Sequence, residues 1–137
     1  MSIAHTILAF VISFVVSQIA DWIFAGVLFH HKYQETPEIW RASVKGRGER
    51  RGIAIAALFA AISVAALMWL MAHLEVATYG GALRLAVAIW LIAALSVTAN
   101  NAVFIRIHPM NAVSHAAGWL VKLAAASLII EYFLGLG

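Results

Sequence analysis

Apolar residues occupy this chain in four long blocks separated by short polar breaks and one long one. The blocks cover about residues 5–29, 53–72, 82–105 and 112–134. Each is close to the ~20 residues that a helix needs to cross hydrocarbon. Barrel strands would alternate in polarity over ~10 residues, and these blocks do not. Isolated Gly, Ser and Thr inside them are ordinary for spanning helices. The pattern predicts an all-α fold, with residues 1–137 forming a single transmembrane four-helix bundle.

Composition strengthens this reading. Hydrophobic residues make up 64% of the 137 positions and charged residues 11%, against ~25% charged in soluble domains. Mean hydropathy is +0.95. A soluble chain of this size buries too small a fraction of its surface to hide so much apolar area, so lipid is its solvent. The first block lacks the basic start and small-residue cleavage site of a signal peptide, and is read as the first membrane helix. With no cysteine, disulfides, thiolate metal sites and thiol redox chemistry are excluded.

Charge sets the orientation. The connection at 30–51 carries Lys32, Arg41, Lys45, Arg47, Arg50 and Arg51, six of the nine basic residues. The 73–81 connection carries none, and the third has Arg106 at its edge. The positive-inside rule places the first and third connections in the cytoplasm and both termini outside. The expected location is the inner (plasma) membrane, multi-pass, with the bilayer as partner. A net charge of +3 gathered in one such loop is a topology signal, and nucleic acid is not an expected partner. Inside the loop, Thr36-Pro37-Glu38 reads as a helix start. Ile39, Trp40 and Val44 would then face the membrane, with Arg41 and Lys45 toward headgroups. A plain solvated loop is the alternative.

Polar residues within the blocks carry the candidate chemistry. Asp21 lies roughly 13 Å inside the boundary near His30, at 1.5 Å per residue, and intramembrane ionisable groups mark functional sites or buried partners. Ser13, Ser17 and Asp21 share a face by their i, i+4 spacing. Asn111, His115, Gly118 and Lys122 recur at spacings of four, three and four, predicting a polar stripe, with Trp119 and Leu123 on a different face. His115 lies roughly 9–12 Å in, and Asn100 and Asn101 roughly 6–9 Å in. Together they predict a cytoplasm-facing pocket lined by Asp21, Ser17, Asn100, Asn101, Asn111, His115 and Lys122. His30, His31, Tyr33 and His108 stand at its mouth. Lys122 can lean back to pair with Asp21, with His115 or an Asn amide as rival partners. Ala54, Ala57, Ala61 and Ala65 predict a close-packing face on the second helix. Trp90 reads as a packing residue, Arg84 as snorkelling, and His73, Glu75 and Glu131 as residues of the outer interface.

Three functions compete. The first is binding or passage of a small polar solute, ion or proton, with Asp21 titrating and His115 relaying. Four spans make a thin pore wall, so this reading brings a homo-oligomer with it. The second is an accessory or assembly subunit in which the polar groups only join helices. The third is a haem or metal site drawn from His30, His115, His5 and His73, since imidazole suits zinc, copper and iron. No HxxxH or HxxH pair lies on one helix, so no cofactor is expected. No nucleophile motif, phosphate loop or paired acidic motif points to an enzyme.

Asp21-Trp22 before Leu28-Phe29, then Tyr33, Trp40-Arg41, Asn100-Asn101 and Gly118-Trp119-Leu120, resemble an uncharacterised family of small bacterial four-span integral membrane proteins. Members often read Trp-Tyr where this chain reads Asp21-Trp22. The resemblance covers nearly the whole chain. It implies the four-helix membrane fold and no activity.

Overall fold

A computed structural model describes residues 2–31, 35, 48–105 and 108–136. Tyr33 and the interfacial helix expected after Thr36 lie outside the described residues. Four helices are long and apolar enough to cross a membrane: α1 (Ile3–Leu28), α2 (Glu49–His73), α3 (Tyr79–Phe104) and α4 (Pro109–Gly135). Large apolar side chains cover the outside of all four, Ile3, Leu58, Ile92 and Val121 among them. Seven polar or charged residues are buried within. Such inversion suits lipid, where outward apolar area costs nothing.

Local chemistry fixes the helix ends. Ser2 caps α1 by accepting from the His5 N–H at 3.2 Å, and Thr78 caps α3 by accepting from the Gly81 N–H at 3.0 Å. Helix α4 starts with His108, whose Nδ1 accepts from the Met110 N–H at 3.1 Å, followed by Pro109, which needs no donor there. Helix α2 ends in a Schellman arrangement. Val76 N–H donates to Met71 O at 3.0 Å and Glu75 N–H to Ala72 O at 3.3 Å. Glu75 takes the left-handed position, φ 51°.

Helix α4 is the hub. It packs broadly on α1 and α3 and also contacts α2, which leans on α1. Helices α1 and α4 run antiparallel: the His5 and Phe133 rings are 6.1 Å apart at the end carrying the termini. At the opposite end, which carries the α1–α2 connection, the Ser114 hydroxyl reaches Phe24 O at 3.4 Å. The apolar core fills the terminal half, where Ala9, Val64, Met71, Ala86, Ala126 and Ile130 meet. Toward the loop end, α2 buries nothing before Ala60 and α3 nothing beyond Ala86.

The face that α2 turns inward is therefore Ala60, Val64, Leu67, Met68 and Met71. The alanine face predicted from Ala54, Ala57, Ala61 and Ala65 is not buried. The stripe that packs is the neighbouring one, where Leu67, Met68 and Met71 gain dispersion contact in the core.

Two helices widen locally into π turns, at Trp22–Leu28 in α1 and Trp90–Leu95 in α3. Both contact α4. Gly118 admits Phe24 there: a Cβ added at Gly118 would sit 3.5 Å from Phe24 Cβ and Cγ, ordinary contact. Gly118→Ala is expected to change stability by less than about 1 kcal/mol. Gly118→Leu drives more atoms into Phe24 and is expected to cost about 1–3 kcal/mol. Unfolding in mixed detergent micelles reads both.

Candidate functional site

Helices α1 and α4 bring Asp21 and Lys122 together. Lys122 lies at the middle of α4 and Asp21 nearer the loop end of α1, so the lysine stem reaches back along the bundle. Its Nζ stands 2.7 Å from Asp21 Oδ1 and 3.0 Å from Oδ2, a two-oxygen grip on one ammonium. The Trp119 ring lies beneath, its centroid 3.9 Å from Nζ. The two charges are unequally enclosed: the Lys122 side chain is 10% exposed and that of Asp21 48%.

The π turn begins immediately after Asp21. Its i→i+5 bonding shows in Phe29 N–H donating to Phe24 O at 3.1 Å, and the Ser114 hydroxyl donates to the same carbonyl at 3.4 Å. On the opposite flank of α4, Trp90 Nε1 donates to Ala116 O at 2.7 Å. Ser96 Oγ bonds back to Leu91 O at 2.6 Å. Ser17 sits one turn from Asp21 and donates to Ser13 O at 2.8 Å. The ion pair is thus framed by hydrogen bonds that tie α1 and α3 to the same turns of α4.

Asn111 and Gly118 lie buried on α4 with Lys122, as the polar stripe predicts, but His115 is exposed. The inward turn runs instead through Ser114, because α1 packs against the Ser114–Gly118 edge and His115 falls beyond it. Trp119, expected on a different face, is the floor under Lys122. Asn100 is exposed and Asn101 half-buried. Neither amide forms a hydrogen bond among the described residues, and the structure does not join them to Asp21. At the loop end His108 serves as the cap of α4, its Nε2 3.9 Å from a Glu35 carboxylate oxygen. His30 and His31 are exposed.

Glu131, read from sequence as an interfacial residue, is 6% exposed, and so belongs to the interior. Ser114, Ser127 and Glu131 were not among the candidate site residues. Ser114 was legible as the i+3 neighbour of Asn111 and the i−4 neighbour of Gly118. His73 stacks on Trp69 at 5.2 Å and, with Glu75 and Arg84, is exposed. Among the described residues no three His, Asp or Glu side chains gather as metal ligands.

Four apolar helices closed around an intramembrane ion pair define a multi-pass membrane protein. The chain belongs to the DUF1761 family, described as a protein of unknown function, whose family model matches residues 8–131. No curated protein and no solved structure matches the chain.

The unequal enclosure makes the pair's mutants unequal. Asp21→Asn strands an almost fully enclosed ammonium, whereas Lys122→Met strands a carboxylate with an open side. Breaking a buried pair costs about 3–5 kcal/mol, and the open side of Asp21 brings this pair to the lower end of that range. Asp21→Asn is expected to destabilise more than Lys122→Met. The double variant is expected to recover part of the loss, as a double-mutant cycle of unfolding free energies will show.

Proposed function

We propose that the protein is an inner-membrane protein, both termini outside, whose Asp21–Lys122 pair is a polar site approached from the cytoplasmic side. A proton, ion or small polar solute binds there or passes through it. The observation that carries this reading is a charge pair set deep in α1 and α4 with one member half open. Enclosing a charge carries a desolvation cost that the pair's attraction need not repay, and here only the ammonium is enclosed. An open carboxylate can instead exchange a partner. The site rests on Asp21, Lys122 and Ser17, with Asn111 buried toward the loop end.

A structural or assembly role is the second reading. It is favoured by the bonds from Ser114 to Phe24 and from Trp90 to Ala116, which tie helices without forming a path.

Flux decides between them. Purified protein in liposomes loaded with a pH-sensitive dye is expected to pass protons under an applied potential. Asp21→Asn should lower the rate at least tenfold while helix content and monodispersity hold. Unchanged rates in both Asp21→Asn and Asp21→Leu would reject transport and leave the assembly role.

A homo-oligomer is part of the proposal. On α3, Ser96, Val97, Asn100, Val103 and Phe104 are exposed at i, i+4 and i+7 spacings, and an amide facing lipid gains from pairing with its copy. The chain has no cysteine, so single-cysteine variants report contacts directly. Val97→Cys and Val103→Cys are expected to cross-link in membranes and Leu91→Cys is not. A uniform absence of dimer at the first two positions overturns this interface.

A further inference from the structure

Two ionisable residues are buried among the described residues, and both belong to α4: Lys122 and Glu131. Lys122 has Asp21 as its counter-ion. Glu131 is 6% exposed, its Oε2 is sealed off and meets no hydrogen-bond donor, and no ion pair among the described residues includes it. The titratable or charged groups at that end of the other elements are His5 of α1, His73 of α2, Glu75 after it, and Tyr79 and Arg84 of α3. Tyr132 follows Glu131 on α4 and is exposed.

A carboxyl group in this position joins nothing within the chain. Its unsatisfied oxygen destabilises the interior, so helix packing gains nothing from it. An ionisable side chain inside a membrane span is by default a functional group. What a carboxyl can take up without a cation beside it is a proton, which removes the charge.

Depth gives Glu131 a place relative to the ion pair. Lys122 stands at the middle of α4, and Glu131 lies nine residues nearer the termini, roughly 13 Å along the axis. Ser127 comes one turn before Glu131, and Ser13 of α1 one turn beyond Ser17. Both serines are fully buried, and neither Oγ has a hydrogen-bond partner. Counted from the facing His5 and Phe133 rings, Ser13 and Ser127 stand within about 3 Å of one height. Polar groups therefore recur along α1 and α4 from Asp21 through Ser17, then Ser13 and Ser127, to Glu131, in steps of about 6 Å.

We propose that Glu131 is a second proton-exchange site, on the side of the termini, so that protons pass between Glu131 and Asp21 across the bilayer and are not only bound from one side. The exchange at Glu131 stands on its burial and its lack of a partner. Its part in passage rests on the role proposed for Asp21.

Two measurements separate these parts. Infrared spectra of the protein in lipid films follow the carbonyl stretch of a carboxylic acid. A band that responds to pH, shifts in deuterated water and disappears in Glu131→Gln is expected, and Asp21→Asn should leave it in place. Glu131→Leu should remove it as well and unfold no more easily than the unmodified chain. If no such band exists in the folded protein, or Glu131→Gln retains it, the exchange site is overturned. In dye-loaded liposomes Glu131→Gln should slow proton flux at least tenfold, and Glu131→Asp should restore part of it. Full flux in Glu131→Gln beside slowed flux in Asp21→Asn overturns passage through Glu131. Absence of flux in the unmodified chain rejects transport itself, and the infrared band still decides the exchange site.

Discussion

An ammonium and a carboxylate within hydrocarbon destabilise a membrane protein unless they meet. The insertion cost of each at a helix centre is about 2.5–3.5 kcal/mol, so two unpaired charges would outweigh much of the gain from packing four helices. Lys122 and Asp21 meet at 2.7 Å, which fixes how α1 and α4 lie along each other. A shift of one helical turn, about 5.4 Å, would break the contact. The antiparallel α1–α4 unit is thereby set, and its other crossings, His5 with Phe133 and Ser114 with Phe24, agree with the same alignment.

The remaining two helices are added to that unit in different ways. Helix α2 brings Val64, Leu67 and Met71 to the terminal half, while its loop half buries nothing. Helix α3 brings Ala82 and Ala86, small enough for its backbone to come close to α4, and then Trp90, whose indole donates to Ala116 O. The apolar core lies toward the termini, with Ser13, Ser127 and Glu131 buried in the same half, and the packing is looser toward the α1–α2 connection. Both π turns fall in that looser half: Ser114 of the facing helix donates to Phe24 O in the first, and Ser96, within α3 itself, donates to Leu91 O in the second.

Much of this was legible in the chain. Block length and hydropathy are long-range averages that packing does not alter, so the four helices and the all-α class follow from sequence. The Asp21–Lys122 pair was legible as one alternative because lysine has the reach to cross a helix turn. What sequence periodicity misses is which edge of a stripe the neighbour occupies. His115 and Ser114 lie about 100° apart on α4, and only the seat of α1 against Gly118 and Phe24 turns Ser114 in and His115 out. The alanines of α2 mislead for a related reason: in lipid small and large apolar residues are equally content outside, so burial follows shape complementarity rather than composition. Glu131 was read by its position near a helix end, which measures depth and not facing. The π turns leave no signal in the residue pattern of either block.

Enclosure divides the labour within the ion pair. Lys122 is held by two carboxylate oxygens, an indole face and the walls of α2 and α4, so its position is set by three helices together. Asp21 is gripped by Lys122 and keeps nearly half its side chain open, with His115 within electrostatic reach of both charges. The lysine is therefore the enclosed half of the pair, and the carboxylate is the half with an open side. Asp21 is also the last residue before the π turn of α1, so the open half of the pair sits at the point where backbone geometry changes. Phe24, inside that turn, packs against the face of α4 that Gly118 leaves bare. The contacts that align α1 with the hub helix thus lie within about one turn of the carboxylate.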